Sequence, residues 1–158
     1  MELRNLDDVI GDYTGLSRKI LDYSALMKRM VDEAKQPGFS AESWGPLAEL
    51  IDTENFVRVG NFKEVMNWQE YVAFLTGWAS SSEWDCSFKR VTESGNTVFL
   101  ELEERSRIGD FSNSVNSASI YEFDDGGKIV VNRHGVAREI WVAARSGGFH
   151  FRAEDGVW

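Results

Sequence analysis

Apolar residues in the first half of the chain recur at the spacing of helices. Three- and four-residue steps predict a long helix with one apolar stripe, made of Leu16, Ile20, Tyr23, Met27, Met30 and Val31. Thr14 stands where a helix cap belongs, and Gln36-Pro37-Gly38 ends the pattern. A shorter helix is predicted from Ser43 with Ile51 on its buried face, then a short strand at residues 56–59 and a third, aromatic helix over residues 68–78.

The pattern changes after Ser82 to that of strands. Segments rich in β-branched and aromatic residues lie between glycine-containing turns, at residues 84–93, 97–107, 114–123 and 128–144. Within the second segment, Val98, Leu100 and Leu102 alternate with more polar neighbours, as in a sheet with one face in water. Short links between the segments predict antiparallel pairing. Helices followed by strands indicate the α+β class.

Composition narrows the classes of partner. The net charge of −9 repels phosphate backbones and anionic headgroups, so we expect no nucleic acid and no membrane partner. Cys86 is the only cysteine and there are two histidines, so we predict no disulfide, metal site or cofactor. No apolar run is long enough to span a bilayer and residues 1–13 do not follow a signal-peptide pattern, which together predict a cytoplasmic protein.

Several weak motifs occur in an order that suggests a family. They are Trp44-x-x-Leu47, the aromatic helix 68–78, the run from Val98 to Arg105, and Tyr121-Glu122-Phe123-Asp124-Asp125-Gly126-Gly127-Lys128-Ile129. In this order they resemble the nuclear-transport-factor-2-like (NTF2-like) superfamily, especially its SnoaL-like polyketide cyclase and ketosteroid isomerase branch. The resemblance covers about residues 16–142.

That resemblance implies both a fold and a function. The implied fold is a cone-shaped α+β barrel over residues 16–158, after an N-terminal arm at 1–15, with three N-terminal helices packed on a strongly curved antiparallel sheet. The implied function is a small-molecule pocket, and the enzyme it implies is a cofactor-free lyase, isomerase or cyclase acting on a small apolar carbonyl compound. The alternative is a non-catalytic module that binds a ligand or forms a homodimer through the sheet.

The catalytic residues of the resembled enzymes carry over only in part. Glu104 and Arg105 match the start of the acidic and basic stretch of the epoxide hydrolases, but Arg107 stands where their acid belongs. His134 takes the place of their second acid. Val59 and Gly60 occupy the place of the aspartate base of the steroid isomerases.

His134, Glu104 and Arg105 are the candidate catalytic residues. His134 could abstract a proton beside a carbonyl, or it could be a polar histidine at a strand end. Strict alternation from Leu102 points Glu104 into the cavity, whereas the match to the epoxide hydrolases points Arg105 inward. A charge ladder on the wet face of the sheet is the alternative for Arg105 and its charged neighbours.

Aromatic residues are the candidate walls of the pocket: Tyr23, Trp44, Tyr71, Trp78, Trp84 and Tyr121. The Tyr23 phenol could donate to an oxyanion, although its position matches no motif and core packing is the better explanation. A second polar group within hydrogen-bond reach of His134 in one cavity would favour catalysis. A cavity with apolar walls alone would favour simple binding.

Overall fold

The computed structural model describes residues 2–136, 139–144 and 147–152, with side chains described as far as residue 136. The chain begins with a two-residue strand, β1 (Arg4–Asn5), and a single turn of helix, α1 (Leu6–Val9). A 3-10 turn at Ile10–Asp12 then leads to the long helix α2 (Gly15–Glu33). Leu6 and Val9 are buried, so this N-terminal segment contributes to the core.

The long helix follows the predicted stripe. Thr14 is its N-cap residue, and Ile20, Tyr23 and Met30 are among the side chains that it buries. The helix ends where Gln36-Pro37-Gly38 begins to turn the chain, and Gly38 adopts a positive φ of 84° there.

The segment predicted as a second helix is shorter than expected. It consists of a 3-10 turn at Ala41–Trp44 and one α-helical turn, α3 (Gly45–Ala48). Ile51, predicted on the buried face of this helix, instead forms an isolated parallel bridge with Ile129. Pairing of Ile51 with the sheet therefore replaces the further helical turn that was expected.

Two short strands precede the third helix. They are β2 (Val57–Val59) and β3 (Val65–Met66), an antiparallel pair of which only the first was predicted. The aromatic helix α4 (Trp68–Ser81) begins at a capping box, in which Asn67 and Glu70 each bond the other's backbone.

The rest of the described chain is made of strands. They are β4 (Glu83–Ser94), β5 (Thr97–Ile108), β6 (Phe111–Phe123), β7 (Ile129–Val136), β8 (Glu139–Ala144) and β9 (Gly147–Arg152). Residues 98–102 of β5 alternate between core and solvent as predicted. The predicted last strand, 128–144, thus corresponds to β7 and β8, while residues 137 and 138 lie outside the described residues. A separate hairpin pairs β8 with β9.

One sheet of seven strands has the order β1-β4-β5-β6-β7-β2-β3. Pairing from β4 to β7 is antiparallel, which agrees with the short turns between these strands. The β2–β7 pairing is parallel, because β2 comes after α3 and reaches the far edge of the sheet by a long connection. Helices pack on one face of this sheet around Val98, Leu100 and Leu102, which confirms the predicted α+β architecture.

Candidate functional site

A cavity of about 280 Å³ lies between α2, α4 and the inner face of the sheet. Five of the six aromatic residues predicted as walls line it: Tyr23, Tyr71, Trp78, Trp84 and Tyr121. The structure places Trp44 elsewhere. Its ring is 1% exposed and packs edge-on against Phe39, and its Nε1 donates to Thr76 Oγ1 over 2.9 Å.

Three side chains from three strands form a polar cluster inside the cavity. His134 Nδ1 lies 2.9 Å from Ser119 Oγ, and His134 Nε2 lies 3.4 Å from Glu104 Oε2. Burial lowers the pKa of His134, and the nearby Arg58 charge lowers it further, while Glu104 opposes both effects. His134 therefore shares the cavity with two polar groups; the catalytic role given to it and to Glu104 stays a prediction.

The direction of Arg105 follows from the register of β5. Leu102, Glu104 and Ser106 line the cavity, so strict alternation holds through this strand and Arg105 points to the outer face. There its guanidinium donates to Asp85, Ser87 and Glu103 over 2.8 to 3.0 Å. The structure therefore does not bring Arg105 together with His134.

Burial also controls the tyrosines of the cavity. It raises the pKa of Tyr23 and of Tyr121 above the ordinary value for a phenol, and neighbouring Tyr71 adds to the shift of both. The Tyr23 hydroxyl has no hydrogen-bond partner within the part of the chain whose side chains are described. Each phenol is therefore a neutral group that can donate.

Three polar residues of the cavity were not among the predicted ones. Arg58 comes from β2, and its guanidinium lies 4.8 Å from the centre of the Tyr71 ring. Ser119 and Asn132 come from β6 and β7, and both are buried. The sequence offered no signal for Arg58, because a residue between two apolar strand positions is expected on the opposite, solvent-facing side.

Cys86 on β4 is the register partner of Glu104, at the edge of this cluster. Burial raises the pKa of the Cys86 thiol to about 12, so Cys86 stays protonated near neutral pH. In residues 2–136, no three side chains of His, Cys, Asp or Glu converge as the ligands of a metal ion would. None of the helices in the described ranges is both long and apolar enough to cross a membrane.

A family model assigns the second half of the chain. Residues 80–158, half of the sequence, match the frataxin-like domain. The chain belongs to the frataxin-like family. We call residues 80–158 the frataxin-like segment; it begins at the end of α4 and contains all strands from β4 to β9.

Curated relatives share stretches of this chain. Three of these relatives are bacterial proteins named iron-sulfur cluster assembly protein CyaY. The Dechloromonas aromatica protein is 65% identical over 37 residues, which are 23% of this chain and 35% of that protein. The Ralstonia nicotianae protein is 39% identical over 74 residues, 47% and 62% of the two chains. The Vibrio cholerae protein is 49% identical over 57 residues, which are 36% of this chain and 54% of that protein. The chain thus spans less than two thirds of the length of each relative.

Solved structures resemble the fold rather than the sequence. A SnoaL-like polyketide cyclase candidate from Shewanella putrefaciens has a TM-score of 0.62 at 8% identity, covering 80% of this chain and 82% of its own. An NTF2-like protein of unknown function from Cytophaga hutchinsonii has a TM-score of 0.55 at 12% identity, and the match covers 79% of this chain and 92% of that protein. An LEH-like epoxide hydrolase of M. tuberculosis has a TM-score of 0.53 at 15% identity, and the match covers 71% of this chain and 84% of that protein. These likenesses confirm the NTF2-like fold, a cone of helices on a curved antiparallel sheet.

The function inferred from that fold is wrong. The frataxin-like match and the CyaY relatives overturn both the SnoaL-type pocket enzyme and its alternative, a ligand-binding or dimerisation module. The descriptions polyketide cyclase, isomerase and lyase are wrong for the same reason. So are the partners expected from the fold, a small apolar ligand and a second copy joined through the sheet. The physical reason is that one fold hosts many unrelated functions.

Proposed function

We propose that this chain takes part in iron–sulfur cluster assembly. The observation that carries the proposal is the match of residues 80–158 to the frataxin-like domain. The matching curated relatives are named for this process, and the stretches that they share with this chain are 39% to 65% identical. Because the chain covers only part of each relative, their activity reaches this chain as a proposal.

The composition of the chain supports a helper role rather than that of a scaffold. Iron–sulfur clusters are held by several cysteine thiolates. The 158 residues contain one cysteine, Cys86, and its buried thiol has a pKa raised to about 12. We therefore treat the cluster as cargo that is built on another protein, with this chain acting on that reaction.

Exposure indicates which part of the frataxin-like segment another protein could contact. The inner-face residues of β5 and β6 are buried, whereas the opposite face carries half-exposed charged side chains. Arg105 pairs there with Asp85 and Glu103, and Arg133 pairs with Glu122. We propose that this outer face of β4 to β7 contacts a protein of the cluster-assembly machinery.

A reconstituted assembly reaction tests the function. Ferrous iron, an enzyme that releases sulfide from cysteine and an apo-protein that accepts clusters are mixed, and cluster formation is followed by absorbance. We expect stoichiometric amounts of this chain to change the initial rate at least twofold. An unchanged rate at a several-fold excess of the chain would reject the proposal.

Matched arginine variants test the surface. Arg105→Gln alters the outer face of the frataxin-like segment, whereas Arg18→Gln alters α2, outside that segment. The two side chains have similar exposure, 37% and 43%, and both pair with an aspartate. We expect Arg105→Gln to reduce the effect on the assembly rate and Arg18→Gln to leave it unchanged. Equal behaviour of the two variants would place the contact elsewhere.

The predicted cytoplasmic location belongs to the same proposal. The curated relatives reported above are bacterial proteins, and iron–sulfur cluster assembly requires reduced iron and sulfide, which a reducing compartment preserves. Cell fractionation with an antibody against this chain checks the location. Recovery in a periplasmic or envelope fraction would contradict it.

A further inference from the structure

The strand β6 is paired along its length on one side, but along only part of its length on the other. Its partner β5 runs beside it from Phe111 to Glu122 without a shift in register. On the opposite side, β7 pairs with it only from Ser117 onward. Within the described ranges, no strand therefore covers the second edge of residues 111–116.

The ladder with β5 shows which backbone groups face this open edge. The backbone N–H of Phe123 donates to the Asn96 carbonyl over 2.9 Å, on the β5 side. Because successive strand residues alternate in direction, odd-numbered residues of β6 point their N–H and C=O groups toward β5, and even-numbered ones point them away. Ser112, Ser114 and Asn116 therefore direct their backbone donors and acceptors into the open edge.

This open edge lacks the features that normally protect a strand edge, which are charges, proline, a bulge or very short length. The edge of β4, which β1 covers at only two residues, carries Lys89, Arg90 and Glu93 and has a register shift before Arg90. The stretch Phe111–Asn116 contains no charge and no proline, and its register with β5 is regular. Its backbone is thus free to pair with another strand.

Exposed apolar side chains stand at the same edge. Ile108 and Phe111 are register partners on either side of the turn between β5 and β6, and they are 46% and 68% exposed. Val115, on the same face of β6 as Phe111, is half-buried. A strand added beside β6 would place side chains next to Phe111 and Val115 and remove apolar surface from water.

Together, these features specify a strand as the partner. We propose that residues 111–116 bind an extended segment of another protein, which joins the sheet as a strand beside β6. Its backbone pairs with the three even-numbered residues of this stretch, and its side chains are apolar where they lie next to Phe111 and Val115. A helix bonds its own backbone groups internally, so only an extended backbone satisfies this row of donors and acceptors.

The edge is distinct from the surface proposed for cluster assembly. That surface is the outer face of β4 to β7, whereas an added strand lies beside β6 in the plane of the sheet. Strand binding can therefore be measured without an assembly reaction. Failure of either proposal leaves the other open to its own test.

Fluorescence polarisation with a labelled peptide tests the proposal. The probe is an acetylated and amidated heptapeptide of alternating valine and threonine, with one lysine in place of the central threonine for solubility. Its control has the same sequence with every backbone nitrogen methylated, which removes the backbone donors. We expect one probe to bind per full-length chain, and the methylated control to bind about tenfold more weakly.

Matched variants of one residue test the role of the backbone. Ser114→Pro removes an N–H from the open edge and no hydrogen bond to β5, and it should weaken probe binding about tenfold. Ser114→Ala keeps the N–H and should bind like the unaltered chain. Phe111→Ala covers the event that Ser114→Pro does not fold, which circular dichroism would reveal. It removes a side chain that is 68% exposed, so it should fold and weaken binding about fivefold.

Hydrogen exchange tests whether the edge is open in the free chain. The amides of Ser112, Ser114 and Asn116 should exchange rapidly without the probe and slowly with it. Protection of these amides in the free chain would overturn the proposal, because another part of the chain would then occupy the edge. So would absence of saturable binding, equal affinity for the methylated control, or unchanged affinity in folded Ser114→Pro or Phe111→Ala.

Discussion

His134 Nε2 lies 3.4 Å from Glu104 Oε2, although the two residues stand on β7 and β5, strands that do not pair with each other. In a flat sheet, strands two places apart are separated by about 10 Å. The two long side chains therefore meet across β6 on the inner face of the sheet, where β5, β6 and β7 all line the cavity.

The first prediction concerns pH and His134. Burial lowers its pKa, with Arg58 acting in the same direction and Glu104 and Glu64 opposing. A lowered pKa in the folded chain means that the unfolded chain binds the proton first as pH falls. The stability contributed by neutral His134 is complete above its ordinary pKa of about 6.5 and is lost as the pH falls through the folded value.

Urea denaturation between pH 7.5 and pH 5 measures this effect. We expect the free energy of unfolding to fall across this range in the unaltered chain, and to fall less steeply in His134→Gln. Parallel curves for the two proteins would mean that His134 does not titrate as the structure indicates.

The second prediction concerns the start of α2. Thr14 occupies the N-cap position but makes no side-chain capping bond. The carboxylate of Glu93, at the end of β4, instead accepts from the Ser17 backbone N–H over 2.8 Å and from Ser17 Oγ over 2.9 Å. These hydrogen bonds lower the pKa of Glu93. Because the carboxylate replaces a local cap, Glu93→Ala should destabilise the fold by about 1 kcal/mol.

Thr14→Ala provides the control for Glu93→Ala, since it removes a side chain that caps nothing. Chemical denaturation should find it within about 0.5 kcal/mol of the unaltered chain. If Thr14→Ala lowered the free energy of unfolding more than Glu93→Ala, the role of Glu93 as the cap of α2 would be disproved.

The third prediction compares two aromatic residues of opposite exposure. Trp44 is 1% exposed and donates a hydrogen bond to Thr76, whereas Phe62 is 83% exposed. Trp44→Ala should destabilise by about 3–5 kcal/mol, because it opens a cavity in the core. Phe62→Ala should stay within about 0.5 kcal/mol. A thermal melt of both variants checks the difference, and similar losses would be inconsistent with the packing of Trp44.

The fourth prediction concerns the turn between β6 and β7. Gly127 has a φ of 76°, which other residues adopt at a cost, while its neighbour Gly126 has no such conformation. A Cβ on Gly127 would also clash with the Lys19 ammonium, which must then shift. Gly127→Ala should destabilise by about 1 kcal/mol. Gly126→Ala should cost less in the same denaturation experiment; the reverse order would contradict the turn geometry.

The spacing of apolar residues was sufficient to predict the long elements of this fold. The stripe from Leu16 to Val31 predicted α2, and alternation from Val98 to Leu102 placed the inner face of β5 correctly. The same alternation, continued along β5, correctly predicted that the Glu104 side chain points into the cavity. The failure at Ile51 shows the limit, because its pairing with Ile129 depends on a strand nearly 80 residues away.

Function required information of a different kind. The hairpin from Tyr121 to Ile129 resembles the NTF2-like superfamily, yet it lies within the frataxin-like segment. The fold is indeed NTF2-like, but the three solved structures reported above are 8% to 15% identical to this chain, which leaves no basis for transferring their chemistry.

By itself, the sequence determined the helices, the strands and the faces that they bury, because periodicity acts between residues a few positions apart. Only the tertiary structure decided which side chains meet: Glu104 with His134, and Glu93 with the first turn of α2. These contacts depend on sheet curvature and on the order in which distant strands pair. Both are properties of the packed molecule that no local pattern encodes.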